Sequence, residues 1–204
     1  MQAEKQASLV QPSADGRHLR STRSRAKIIG VMLKLVRAGN YAPSAADIAK
    51  TAKVSLRTVF RHFDDLDALY REIAQHLEGE LRPLLAARET GGSWPERLFE
   101  QVERRVVVYE NVLPIRLAAD ARRYHSPFLK VAYEQFHELE RSGLACVLPD
   151  HIVDDPAWFA AVRAVSSFGA WRHLRNDQEK SVDEAREAVV LMVSRIVGED
   201  LTRR

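Results

Sequence analysis

Few side chains in this chain could do covalent chemistry, and none carries a catalytic signature. Cys146 is the single thiol, without the local pattern of a nucleophile. His137 lies among Glu134, Glu138 and Glu140, but the spacing matches no recognised metal site. No glycine-rich phosphate loop, paired-carboxylate site or nucleophile with its base is evident. Catalysis, a metal and a cofactor are therefore not expected. What remains is cationic. Between Arg17 and Arg61 there are eleven basic residues and one acidic residue, Asp47. Residues 1–76 carry a net +6 and residues 77–204 a net −3, an asymmetry hidden in the overall +3. Such a localised excess serves phosphate binding, with an affinity steeply dependent on salt.

The elements that must position these cations are legible between Ser44 and Phe63. Ser44 opens a short helix, and Asp47 completes its capping box. Ile48, Ala49 and Ala52 then share one face. Ser55 offers a second N-cap directly afterwards, so the intervening turn is very short. On the second helix Val59 and Phe63 lie four apart and can pack back on Ile48, Ala49 and Val54. Leu56, Arg57, Phe60 and Arg61 are left facing away from that small core. A helix-turn-helix offers its second helix to the DNA major groove in this manner.

The string IAKTAKVSLRTVFRHF, Ile48 to Phe63, resembles the DNA-binding signature of the TetR family of bacterial transcriptional repressors. The matching features are Ile48-Ala49, Ala52, Val54-Ser55, Thr58, Phe60 and His62-Phe63, with Leu69 following, and the resemblance covers residues 22–73. It implies an all-α protein with a three-helix, helix-turn-helix head on a larger helical body for ligand binding and dimerisation. It implies, too, a ligand-responsive repressor that grips a palindromic double-stranded operator as a homodimer. Arg57 is expected to read a base, guanine first, from the start of the recognition helix. Ser44, Lys53, Ser55, Thr58, Phe60, Arg61 and His62 complete the expected contact set, with Arg20 and Arg23 reaching phosphate or minor groove. His62 has a second reading as packing between helices. Two departures bear on the backbone and its contacts. Lys53 stands where the family has a turn glycine, and Phe60, replacing tyrosine, cannot donate to a phosphate.

Length and composition agree: 46% apolar and 29% charged residues describe a globular chain. One cysteine permits no internal disulfide framework, which fits a cytoplasmic setting, and no apolar run is long enough for a bilayer. Residues 1–20 are expected to form a disordered basic arm, 21–76 the DNA-binding head and 77–204 the body. Periodicity places helices from about Ser21 to Ala38, from Asp64 or Asp65 until Pro83, and from Trp94 toward Asn111. Others are expected from Pro114 to Tyr124, Ser126 to Cys146, Asp155 to Arg175, and Ser181 to Gly198. Val106-Val107-Val108 is the one strand-like run, too short to build a sheet.

Two surfaces of the body are candidates. Val165 and Phe168, with Val189, Met192, Val193 and Ile196, are the expected dimer interface, although the same periodicity suits intramolecular core. Tyr109, Tyr124, Phe128, Phe136, His137, Trp158 and Trp171 are candidates to line an inducer site for an apolar or aromatic small molecule. Arg104, Arg116 and Asp120 could anchor a polar group of that ligand, but read more simply as surface charges. The rival to the repressor reading is a helical protein-interaction module built on a degenerate helix-turn-helix.

Overall fold

The computed structural model describes residues 14–85, 91–120, 122–124, 126–199 and 201. Among them every regular element is helical. In order these are α1 (Ala14–Arg37), α2 (Ala45–Ala52), α3 (Leu56–His62), α4 (Leu66–Leu85), α5 (Trp94–Asp120), α6 (Pro127–Ala145), α7 (Asp150–Val153), α8 (Pro156–Val165), α9 (Phe168–Arg172), a π-helical turn (His173–Asp177) and α10 (Val182–Val197).

The N-terminal helices close over Ile28, Met32 and Val36 of α1, which are buried against Ile48, Val59, Phe63, Leu69 and Ile73. Helix α4 packs on α1 on one side and on α5 and α6 on the other. It is the shared element of head and body, and one apolar cluster runs through it from Ile28 to Leu201. Gly143 lets α6 come close to the end of α4. A methyl group there would sit 2.7 Å from the Leu85 carbonyl oxygen, the same oxygen to which Gln101 Nε2 donates at 3.0 Å.

Several helix boundaries differ from expectation, each for a physical reason. Helix α1 begins at Ala14 and not at Ser21. Once the buried turns around Ile28 exist, adding further turns costs little, and Gly16 alone does not stop the ladder. Of the expected arm, residues 1–13 lie outside the described residues. Pro114 proves a weak punctuator, since α5 runs through it without interruption, whereas α4 extends only two residues past Pro83, to Leu85. Burial of Val112, Ile115, Ala118 and Ala119 around Pro114 outweighs the one hydrogen bond that proline removes. The Val106–Val108 run is helical, with Val106 and Val108 buried and Val107 exposed.

The helix expected from Asp155 to Arg175 is instead broken at Ser166-Ser167. The Ser166 carbonyl accepts from Arg105 Nη1 (2.8 Å) and from the Tyr109 hydroxyl (3.0 Å), while the Phe168 N–H donates to Glu140 Oε1 (2.8 Å). Side chains of α5 and α6 thus replace ladder partners, and Ser167 restarts the helix by capping Ala170 N at 3.2 Å.

Candidate functional site

Helices α2 and α3 form two short rods joined by Lys53, Val54 and Ser55. Ser44 Oγ accepts from Asp47 N (3.1 Å), and the Asp47 carboxylate accepts from Ser44 N (2.9 Å). That hydroxyl also donates to Asp47 Oδ2 at 2.6 Å, so its proton is already used within the cap. Lys53 ends α2 in the left-handed conformation (φ 52°, ψ 47°), with its N–H turned back to the Ala49 and Lys50 carbonyls. Ser55 then caps α3 through Thr58 N at 3.1 Å and shares a 2.9 Å hydroxyl contact with Thr58. Helix α3 buries Val59 and His62 and leaves Arg57 and Arg61 in solvent. Leu56 and Phe60 are 45% and 48% exposed beside them, unusual for large apolar side chains on so short a helix. The exposed face therefore combines two guanidinium groups with two apolar contacts.

His62 lies on the inner side of α3. The ring is buried and its Nε2 has no partner. Desolvation lowers its pKa below the ordinary histidine value, helped by the charges of Arg61 and Arg25, so the ring is held neutral and inward. Arg23 is exposed on α1, as is Lys27, and the side chain of Arg20 lies outside the described residues. Arg25 was not anticipated as a structural cation. Its Nε donates to Glu72 at 2.7 Å, its Nη1 donates to the His62 carbonyl at 2.6 Å, and its guanidinium lies 4.5 Å from the Phe63 ring centre. One side chain thereby ties α1 to the end of α3 and to α4. Nothing in the spacing of Arg25 distinguishes it from the arginines around it.

In the body, α4, α5 and α6 enclose a cavity of about 140 Å³. Its wall is mainly aliphatic, including Leu77, Val112, Ile115 and Leu139, with Tyr70, Tyr133 and Phe136 as the aromatic members. Of the expected ligand residues only Phe136 lines it, and the others lie elsewhere. Tyr109 is buried behind the wall, edge-on to Phe168 at 5.7 Å between ring centres. Trp171 is buried too, its indole N–H donating to Glu110 at 2.8 Å. Trp158 donates to the Ile196 carbonyl (2.9 Å) and packs on His151, remote from the cavity. Phe128 is half-buried under the Arg71 guanidinium. Tyr124 is 76% exposed in the turn after α5, and His137 is exposed with its Nδ1 3.0 Å from Glu140 Oε2. Aromatic type alone could not separate wall from core, because both need large apolar side chains.

The residues missed are charged. Arg116, weighed as an anchor for a polar ligand group but read more simply as a surface charge, is buried and lines the cavity. Arg105 is buried deeper still, donating to the Ser166 carbonyl and, through Nη2, to the Glu140 carbonyl. Tyr109 donates its hydroxyl to Glu140 Oε1 at 2.5 Å. Burial alone would raise the Glu140 carboxyl, but the His137 contact, the Arg105 charge, the Tyr109 hydroxyl and the Phe168 N–H together hold it below the usual range. The Tyr109 hydroxyl itself is pushed well above its ordinary value by desolvation.

The expected dimer residues divide. Phe168, Val189 and Val193 are buried within the chain's own core. Val165, Met192 and Ile196 are half-buried, and Leu191 on α10 is 50% exposed.

Among the described residues no cluster of three or more His, Cys, Asp or Glu could hold a metal ion, and no helix is long and apolar enough to cross a membrane. The chain matches no protein-family model and no curated protein sequence. Its fold is similar to that of a transcriptional regulator from Rhodococcus sp. Rha1 known from a crystal structure. The TM-score is 0.65 at 21% identity, covering 88% of this chain and 97% of that one. At that identity the likeness shows the fold.

Proposed function

We propose that the chain is a DNA-binding transcriptional regulator of the TetR type, a homodimeric repressor released from a palindromic operator by a small molecule in the body. The observation that carries this reading is the exposed face of α3. Ser55 caps that helix, its inner side is buried, and Leu56, Arg57, Phe60 and Arg61 point outward from the most basic part of the chain. The Rhodococcus protein of similar fold, itself a transcriptional regulator, supports the same reading. Two copies would place their α3 helices in successive major grooves about 34–36 Å apart. The half-buried and exposed apolar residues of α8 and α10, Val165, Leu191, Met192 and Ile196, are the surface left for pairing. The cavity between α4, α5 and α6 is where the effector would sit.

Binding of the full chain to fragments selected from random duplex DNA tests this. The selected site is expected to be two-fold symmetric, and affinity should fall on the order of 10³-fold between 50 and 200 mM salt. Arg57→Ala should relax preference at one base pair and cost about 1–3 kcal/mol there. Duplex affinity indifferent to salt would defeat the proposal.

A further inference from the structure

Among the described residues two arginines of the body are buried, Arg105 and Arg116, and they are treated differently. Arg105 has carbonyl acceptors from two elements, Ser166 and Glu140. Arg116 has none. It is 8% exposed, and its Nε lacks a hydrogen-bond partner. No carboxylate forms an ion pair with it among the described residues, although it feels the charges of Glu140 and Asp120. Both carboxylates are occupied elsewhere: Asp120 by the Tyr133 hydroxyl (2.7 Å) and Arg172 (2.8 Å), Glu140 by Tyr109, Phe168 N and His137. The guanidinium instead sits among ring faces, 3.9 Å from the centre of Tyr133, 4.3 Å from Phe136 and 4.7 Å from Phe168. Ring faces hold a cation in place but supply no lone pair to its N–H groups.

An interior cation short of acceptors, on the wall of an otherwise apolar cavity, defines what would complete it. Building on the cavity as the effector site, we propose that Arg116 anchors a carboxylate and that the effector is a small amphipathic acid. Among the described residues Arg116 is the only charged one on the cavity wall, so a singly charged head matches it. The guanidinium fork suits two carboxylate oxygens at once. Size limits the remainder of the molecule. A cavity of about 150 Å³ lined by Leu, Ile and Phe accepts benzene, and this one has about 140 Å³. One ring, or a short aliphatic chain of similar bulk, fills the space against Leu77, Val112, Ile115 and Leu139.

Calorimetric titration of the full chain with benzoate, phenylacetate and hexanoate, and with neutral benzamide, tests the assignment. At least one acid is expected to bind about 30-fold more tightly than benzamide. Arg116→Met should erase that preference while leaving benzamide binding in place, and Arg116→Lys should keep part of it. Should Arg116→Met fail to fold, the acid-against-amide comparison in the unaltered protein decides alone. Benzamide equal to the acids, or a preference surviving in Arg116→Met, overturns the carboxylate anchor. Binding by none of the four probes overturns it as well. Repeating the titrations with the selected operator separates the two readings. An acid held through Arg116 that leaves DNA affinity unchanged would keep the anchor and remove the effector role. Release of DNA by benzamide as readily as by the acids would do the reverse.

Discussion

At the scale of single residues, Lys53 joins local strain to the proposed function. Its φ of 52° lies in the left-handed region, which costs a side-chain-bearing residue about 1–2 kcal/mol relative to the right-handed one. Glycine removes that cost and gives back part of the gain through its larger unfolded-state entropy. Lys53→Gly is therefore expected to stabilise the fold by about 0.5–1 kcal/mol, as read from chemical denaturation. Were the ammonium a phosphate ligand, the same change would lower DNA affinity evenly across sequences and make the salt slope shallower by about one. A variant that gained stability and kept its salt slope would assign Lys53 to the turn alone. His62 illustrates the opposite case. Its imidazole is a plausible phosphate ligand by type, but it lies one helical turn after Thr58 on the inner side of α3, where burial decides its role.

At the scale of elements, the helix starts marked by a local cap were legible, whereas the start of α1 at Ala14 and the restart at Ser167 were not. Ser44 with Asp47, Ser55, Ser126-Pro127, Asp155-Pro156 and Ser181 with Glu184 all cap where the sequence placed them. Interruptions were not legible, because they depend on partners far along the chain. Pro114 did not break α5, whereas Ser166 broke α8 from α9 through groups on α5 and α6. Glu140 is the centre of that second event. Its folded pKa is depressed, so the stability it adds is complete above the unfolded value of about 4.3 and is lost as pH falls through the lower folded value. Glu140→Gln keeps an acceptor for Phe168 N but removes the charge facing Arg105, and is expected to cost about 3 kcal/mol near neutral pH. Urea titrations from pH 7 down to pH 3 should show the deficit shrinking as the unaltered protein loses its own carboxylate. A deficit constant with pH would mean that the neutral acid packs there as well as the ion.

At the scale of the whole molecule, α4 is held from both directions. Arg25 binds Glu72 and the end of α3, while Arg122 pairs with Asp67 at 3.1 Å and Tyr70 donates to the Ala118 carbonyl at 3.2 Å. Tyr70, Ala74 and Leu77 of this same helix line the cavity. Periodicity placed α4 from sequence, but the side chains that brace it are ordinary arginines and carboxylates with no local signature. A ligand can use this arrangement only if it binds more tightly to the setting of α4 in which the two α3 helices miss their half-sites. Linkage then fixes a quantity that can be measured twice. If benzoate or hexanoate weakens operator binding by some factor, saturating operator must weaken that acid by the same factor, on the order of 5–150-fold. Anisotropy of labelled operator across an acid titration gives one value, and calorimetry of the acid with and without operator gives the other. Tyr70→Phe removes one brace between α4 and α5 and should shrink both values together. Unequal factors in the unaltered protein would mean that the two titrations follow different binding events, and a factor of one in both would dissociate cavity from α3 altogether.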